Sequence, residues 1–286
     1  MKYITLILAT LTLAACGTQQ PKENTTWPIE PRNEQVEYLL MLDSLNREYI
    51  GDNRNFNSMN LQTLSELSDK KSTPEEMEMM LNKTFDEAEE LWHKFILLCN
   101  EGREEEAIKL YRDNHKLIDL AVTDSEIRLH LHDEVIGVMA YDLLPEDEAC
   151  EFMIECFQFD FAMIGINLAA TGNRDRYGDL YDYSLNTLDS LYSQTDHYGD
   201  MITYIDRWIE TLSAITTHPA IMANAETKRG DVYKTIGDYT KAISSYNKAK
   251  QIIEQAIADG ETHPVLQSCI ELLDTNIAEC HTAMGK

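Results

Sequence analysis

The sequence predicts an all-α chain. Apolar residues recur every three or four positions in segment after segment, few segments alternate with period two, and helix start signals stand ahead of several apolar runs. Val36, Leu39, Leu40, Leu45 and Tyr49 form a first helix ending at Gly51. An Asn-rich passage, residues 52–60, is a polar loop before a short helix around Leu61 to Leu67. Thr73, Pro74 and Glu76 mark a firm start, because Thr caps free amides and Pro at the first helical position lacks an N–H that would be unbonded anyway. From there helices come in pairs. Leu91 and Phe95 precede Gly102, Ala107 and Tyr111; Thr123 and Glu126 form a capping box ahead of Gly137, Ala149 and Cys156. A further pair covers about 176–193 and 199–215 and contains Gly178, Asp179 and Tyr181. Thr217, His218 and Pro219 open the next pair, and Thr262, His263 and Pro264 open the last helix, 264–284, whose polar outer face suits a cap.

The clearest pair, 223–256, carries Gly230, Tyr233, Gly237, Tyr239, Ala242, Tyr246 and Ala249. Gly230 and Ala242 lie twelve apart across a turn at Gly237 and Asp238, so two antiparallel helices approach closely there, and Ala249 leaves room for the next helix. These spacings resemble the tetratricopeptide (TPR) repeat. The resemblance implies a right-handed α-solenoid of TPR-like antiparallel helix pairs over 73–286, with the first helix of each pair lining a concave groove. Carrying the groove positions across makes Asn224, Thr227, Lys228, Asp231, Lys234 and Thr235 the candidate peptide-binding residues. Glu226 and Arg229 depart from the pattern, standing at two usually apolar positions. Leu91, Gly102, Ala107 and Tyr111 match a degenerate repeat with Phe95 in the glycine's place, and Gly137, Ala149 and Cys156 repeat the spacing of Gly230, Ala242 and Ala249.

At the N-terminus Lys2 precedes an apolar run from Tyr3 to Ala14, too short for a permanent span, and Leu13, Ala14, Ala15, Cys16 and Gly17 resemble a bacterial lipobox. The resemblance implies a signal peptide over 1–15 and a Cys16 bearing acyl chains such as palmitate. Gly17 in place of an Asp implies the outer membrane, and the lack of an acidic cluster after Cys16 the periplasmic face. Residues 16–33, with Pro21, Pro28 and Pro31, are a flexible tether, and 34–72 hold the first helix and polar loop.

Fifty acidic residues against 24 basic ones give a formal charge of −26. Such a surface repels phosphate backbones and anionic headgroups, so nucleic acid is excluded as a partner and the lipid alone attaches the chain to membrane. No phosphate-binding loop, dinucleotide glycine pattern, nucleophile elbow or zincin motif occurs, and no cofactor or metal is expected. His130 and Glu134 share a helix face from which His132 points away, too few ligands for a metal. Asn173, Asp175 and Gly178 faintly resemble a calcium loop, but Tyr177 stands where an oxygen ligand belongs and Ser184 replaces the closing glutamate, so the segment reads as a capped turn. Acid pairs such as Glu75 with Glu76, or Glu104 to Glu106, arise freely among fifty acids. Cys99, Cys150, Cys156, Cys269 and Cys280 are an odd number and read as small buried apolar residues. Tyr177, Tyr181, Leu185, Leu188 and Tyr192 form a buried stripe, leaving Tyr183 and Tyr198 as the more exposed rings.

One electrostatic contrast remains. Lys228, Arg229, Lys234, Lys241, Lys248 and Lys250 face only Asp231 and Asp238 between residues 227 and 250, a local balance of +4 in an acidic chain. The lysines either meet an acidic partner or neutralise acids on adjacent helices. The expectation is a membrane-anchored, non-catalytic scaffold for a protein or peptide, an acidic one where the lysines face the partner. A carbohydrate-binding lipoprotein of a glycan-uptake system, and then a hydrolase with acids lining a helical cavity, are the alternatives.

Overall fold

A computed structural model describes residues 30–50, 73–215, 219–262 and 265–285. Cys16, the lipobox, most of the tether, the polar loop and parts of both Thr-His-Pro tripeptides lie outside the described residues, as do the side chains of Glu75 and Glu76. Among the described residues every regular element is helical. In chain order these are α1 (Glu34–Ile50), α2 (Pro74–Glu101), α3 (Glu104–Ala121), α4 (Ser125–His130), a π-helical turn (Leu131–Gly137), α5 (Val138–Leu143), α6 (Glu146–Thr171) and α7 (Arg174–Tyr192). A 3-10 turn (Tyr198–Asp200), α8 (Met201–Ile215), α9 (Pro219–Thr235), α10 (Tyr239–Ala258) and α11 (Val265–Ala283) follow. The chain forms two compact units that divide between Ser184 and Leu185.

In the first unit α1 packs on α2 and on the π turn, α2 pairs with α3, and α4, α5 and α6 all meet the π turn. By length and composition α6 is apolar enough to cross a membrane, but most of it is buried, the position of a core helix. Phe157, Phe161, Ile164 and Leu168 supply its inner surface. In the second unit α8 packs on α9, α9 on α10 and α10 on α11. Ala242, Tyr246, Ala249, Ile253, Leu266, Leu273 and Cys280 form one core there.

Turn chemistry explains where helices stop. Gly102, Gly172 and Gly237 follow α2, α6 and α9 with φ of 72°, 63° and 80°, a left-handed conformation that only glycine adopts freely. Gly102 and Gly237 are equivalent: Arg103 N bonds Leu98 O at 2.9 Å, and Asp238 N bonds Tyr233 O at 2.8 Å. Near α4 the expected Thr123 cap is displaced by one residue. Asp124 accepts from the amides of Glu126 and Ile127, while the Thr123 amide donates to Asn46 Oδ1 at 3.1 Å.

Helix approach is set by a glycine and the residue sixteen positions later. A Cβ at Gly230 would lie 2.5 Å from the Tyr246 ring, and one at Gly165 would lie 2.9 Å from Tyr181. At Gly137 the covering side chain is Met153, at 3.4 Å. The documented neighbour of Gly230 is thus Tyr246, whose ring lies over the backbone, while Ala242 is fully buried in the core around that ring. In the degenerate pair Phe95 takes the glycine's place and its ring sits 5.1 Å from that of Tyr111, a contact in which two rings hold the helices apart. Gly178 does not follow this rule: its Cβ would meet only Arg174 of its own helix.

Candidate functional site

The candidate binding residues lie on α9 in the second unit. Asp231, Lys234 and Thr235 line a shallow depression of about 500 Å³ with Tyr239, Glu279 and Ala283. Asp231 and Lys228 also line a cleft of about 60 Å³ with Leu185, Asp189, Tyr198, Met201 and Ile205. The two hollows therefore adjoin at Asp231. Asn224 is exposed one turn earlier; Thr227 and Thr235 turn their hydroxyls back to the carbonyls of Ala223 and Asp231, at 2.8 and 2.9 Å. Tyr246 donates to Asp231 Oδ1 at 2.7 Å through the same side chain that covers Gly230. Although Asp231 keeps solvent contact, desolvation of its carboxylate raises its pKa, against the pull of the Tyr246 bond and of Lys234 and Lys228.

The cationic cluster is largely spent inside the unit. Lys234 bonds Glu279 and Asn276, Lys250 bonds Asp274 at 2.6 Å, and Lys241 pairs with Asp238 at 2.8 Å. Lys228 bonds a neutral acceptor, Asn186 Oδ1, at 2.7 Å. Glu226, at one of the positions where the repeat pattern expects an apolar residue, is fully buried, yet paired with Arg229 and with Lys248 at 2.6 Å. Arg229 reaches on to Asp206 of α8 at 3.1 Å and Ser245 at 3.3 Å. The two departures from the pattern thus compensate each other, a buried carboxylate being tolerable only when paired.

Sequence reasoning missed a second polar cluster, inside the first unit. Asp119, Arg128, His132 and Asp160 are all almost wholly buried. Arg128 Nε donates to Asp160 Oδ1 at 2.6 Å and its Nη1 to the Val122 carbonyl at 3.0 Å. His132 lies between Asp160 and Asp119, and Tyr111 donates its hydroxyl to Asp119. Burial raises the Tyr111 and Cys156 pKa values and the nearby carboxylates raise them further, so both stay protonated. Two signals were present in the sequence: Asp160 stands between Phe159 and Phe161 in the most apolar helix, and Arg128 and His132 are one helical turn apart. His130 and Glu134 are both exposed, and the described residues contain no group able to hold a metal.

The remaining candidates have local partners. Asn173 Oδ1 accepts from the Arg176 amide at 3.2 Å, capping α7. Glu104 pairs with Arg32, and Glu106 with Arg103. A groove of about 650 Å³ beside α3 and α6 carries Glu148, bonded to Arg112 at 3.1 Å, and Glu155, 3.1 Å from His115. Tyr181, Leu185, Leu188 and Tyr192 are buried as a stripe, but Tyr177, expected at its head, is only half-buried; Tyr183 is exposed and donates to Asp133, and Tyr198 is half-buried against Asp189. The described cysteines are free thiols, all buried except the half-buried Cys269. Comparison of the chain with protein-family models and with curated proteins found no match.

Proposed function

We propose that this protein is a non-catalytic binding scaffold, a right-handed solenoid of TPR-like pairs held by acylated Cys16 to the periplasmic face of the outer membrane. It takes up a protein or extended peptide along α9. The observation that carries this reading is that Lys228, Asp231, Lys234 and Thr235, chosen from repeat spacing, line two hollows adjoining at Asp231. Stacking of α8 to α11, each on its sequence neighbour, supports the solenoid. With Lys234 engaged by Glu279, Lys228 is the cation that offers a carboxylate of the partner a charge-assisted bond.

Site-specific photocrosslinking in cells tests the proposal. A crosslinker at Asn224, Lys228 or Thr235 should capture one common partner that is not captured from Gln251, an exposed position on α10. Equal capture from all positions, or none from α9, overturns it.

A further inference from the structure

Both ring nitrogens of His132 face carboxylate oxygens. Nδ1 lies 2.5 Å from Asp160 Oδ2 and Nε2 lies 3.1 Å from Asp119 Oδ1. A neutral imidazole carries one N–H and one lone pair, so in either tautomer one carboxylate would be opposed to a lone pair. Two N–H groups satisfy both acceptors at once. Charge balance requires the same thing, because two carboxylates against the Arg128 guanidinium alone would leave an uncompensated negative charge in the core.

We infer that His132 is a constitutive imidazolium, the fourth charge of a neutral quartet with Arg128, Asp119 and Asp160 that bolts the π-helical turn to α3 and α6. Each neighbouring element contributes in a definite way. From α3 come Asp119, Tyr111, whose hydroxyl is 3.1 Å from Nε2, and His115, whose Nδ1 is 3.6 Å from Asp119 Oδ2. From α4 comes Arg128, and from α6 come Asp160 and the protonated Cys156. The Phe157 ring closes the site at 6.1 Å. Among the described residues α1 and α5, which also pack on the turn, contribute no charged partner to this ring. Burial alone would lower the His132 pKa; the two carboxylates outweigh it and hold the value at about 10. The ring therefore stays charged across the neutral range and gives up its proton only near pH 10. Stretches of π-helix are uncommon, and this one carries His132 into the core between α3 and α6.

The alternative, a neutral ring with the proton on Asp119 or Asp160, is separable by experiment. In the full-length chain labelled with 15N-histidine, one ring, assigned by its loss in His132→Gln, should keep both nitrogens protonated from pH 5 to pH 9. A neutral His132 ring at pH 8 overturns the inference. Thermal unfolding at pH 7 decides independently, and still does so if the single variant folds poorly. His132→Gln should lower the midpoint by roughly 10 °C, as removing one member of a buried charge set does. Adding Asp119→Asn should restore part of that loss by rebalancing charge, although Asp119→Asn alone also lowers the midpoint. A double variant no more stable than His132→Gln overturns the quartet.

Discussion

At the residue scale the glycines divide into two kinds, and substitution to alanine tells them apart. A Cβ at Gly230 collides with a buried Tyr246 ring that is also tethered through Asp231, so neither group can give way. Gly230→Ala should destabilise by about 1–3 kcal/mol despite alanine's better helix propensity. Gly178 meets only the exposed, flexible Arg174, so Gly178→Ala should be neutral or stabilise by up to about 1 kcal/mol. Chemical denaturation of the two variants checks both signs. The quartet sets a pH dependence as well. The folded pKa of His132, about 10, lies above its ordinary 6.5, so its contribution is complete below pH 6.5 and lost as pH rises to 10. Burial raises Asp119, but His132 and its bonded neighbours more than reverse this and lower it, so its contribution is present above pH 3.8 and lost in acid. The stability difference between wild type and His132→Gln should therefore narrow between pH 6.5 and 10, as read by urea midpoints. Gly230 and Tyr246 were legible in the sequence as repeat residues because their spacing is local, but the reading set Ala242 opposite Gly230, where the Tyr246 ring lies. The quartet was not, because Asp119, His132 and Asp160 meet only after three elements pack together.

At the scale of elements, α9 breaks the apolar pattern of the repeat it resembles. Glu226 and Arg229 occupy usually apolar positions and are held by each other, by Lys248 and by Asp206. Arg229→Ala should then cost about 3 kcal/mol, since Glu226 keeps only a half-exposed lysine. Replacing the pair together, Glu226→Leu with Arg229→Leu, should recover most of that loss or exceed wild type, because an apolar pair fills the same space without a buried charge. Calorimetry of the single and double variants compares them directly. Lys248→Glu would strike the same carboxylate, so it disturbs the fold before it reports on binding. Helix identity, and the pairing of α2 with α3 and of α9 with α10, were readable from period and caps, whereas the π turn was not, since one irregular turn leaves the apolar residues of 125–143 looking like an ordinary helix. The α4 cap falls on Asp124, whose side chain takes the amides of Glu126 and Ile127, while the Thr123 amide is held by Asn46 of α1.

At the scale of the whole molecule the acidic surface and the proposed lipid anchor make one joint prediction. A chain of net charge −26 gains nothing from anionic headgroups, so Cys16→Ser should move the protein to the soluble fraction or leave it unprocessed. Normal processing with retention in the membrane fraction would count against the anchor. The all-α class followed directly from apolar period, but the division at Ser184 did not, since α7 runs through it without a break in composition. The buried thiols carry a different consequence. Burial raises the Cys99 pKa to about 12, and likewise raises those of Cys156 and Cys280, so each thiol becomes nucleophilic only when the structure around it opens. Cys99 and Cys156 belong to the first unit and Cys280 to the second. A single thiol reagent, followed residue by residue over time, thus acts as two internal clocks, timing the opening of each unit separately in one unmodified sample.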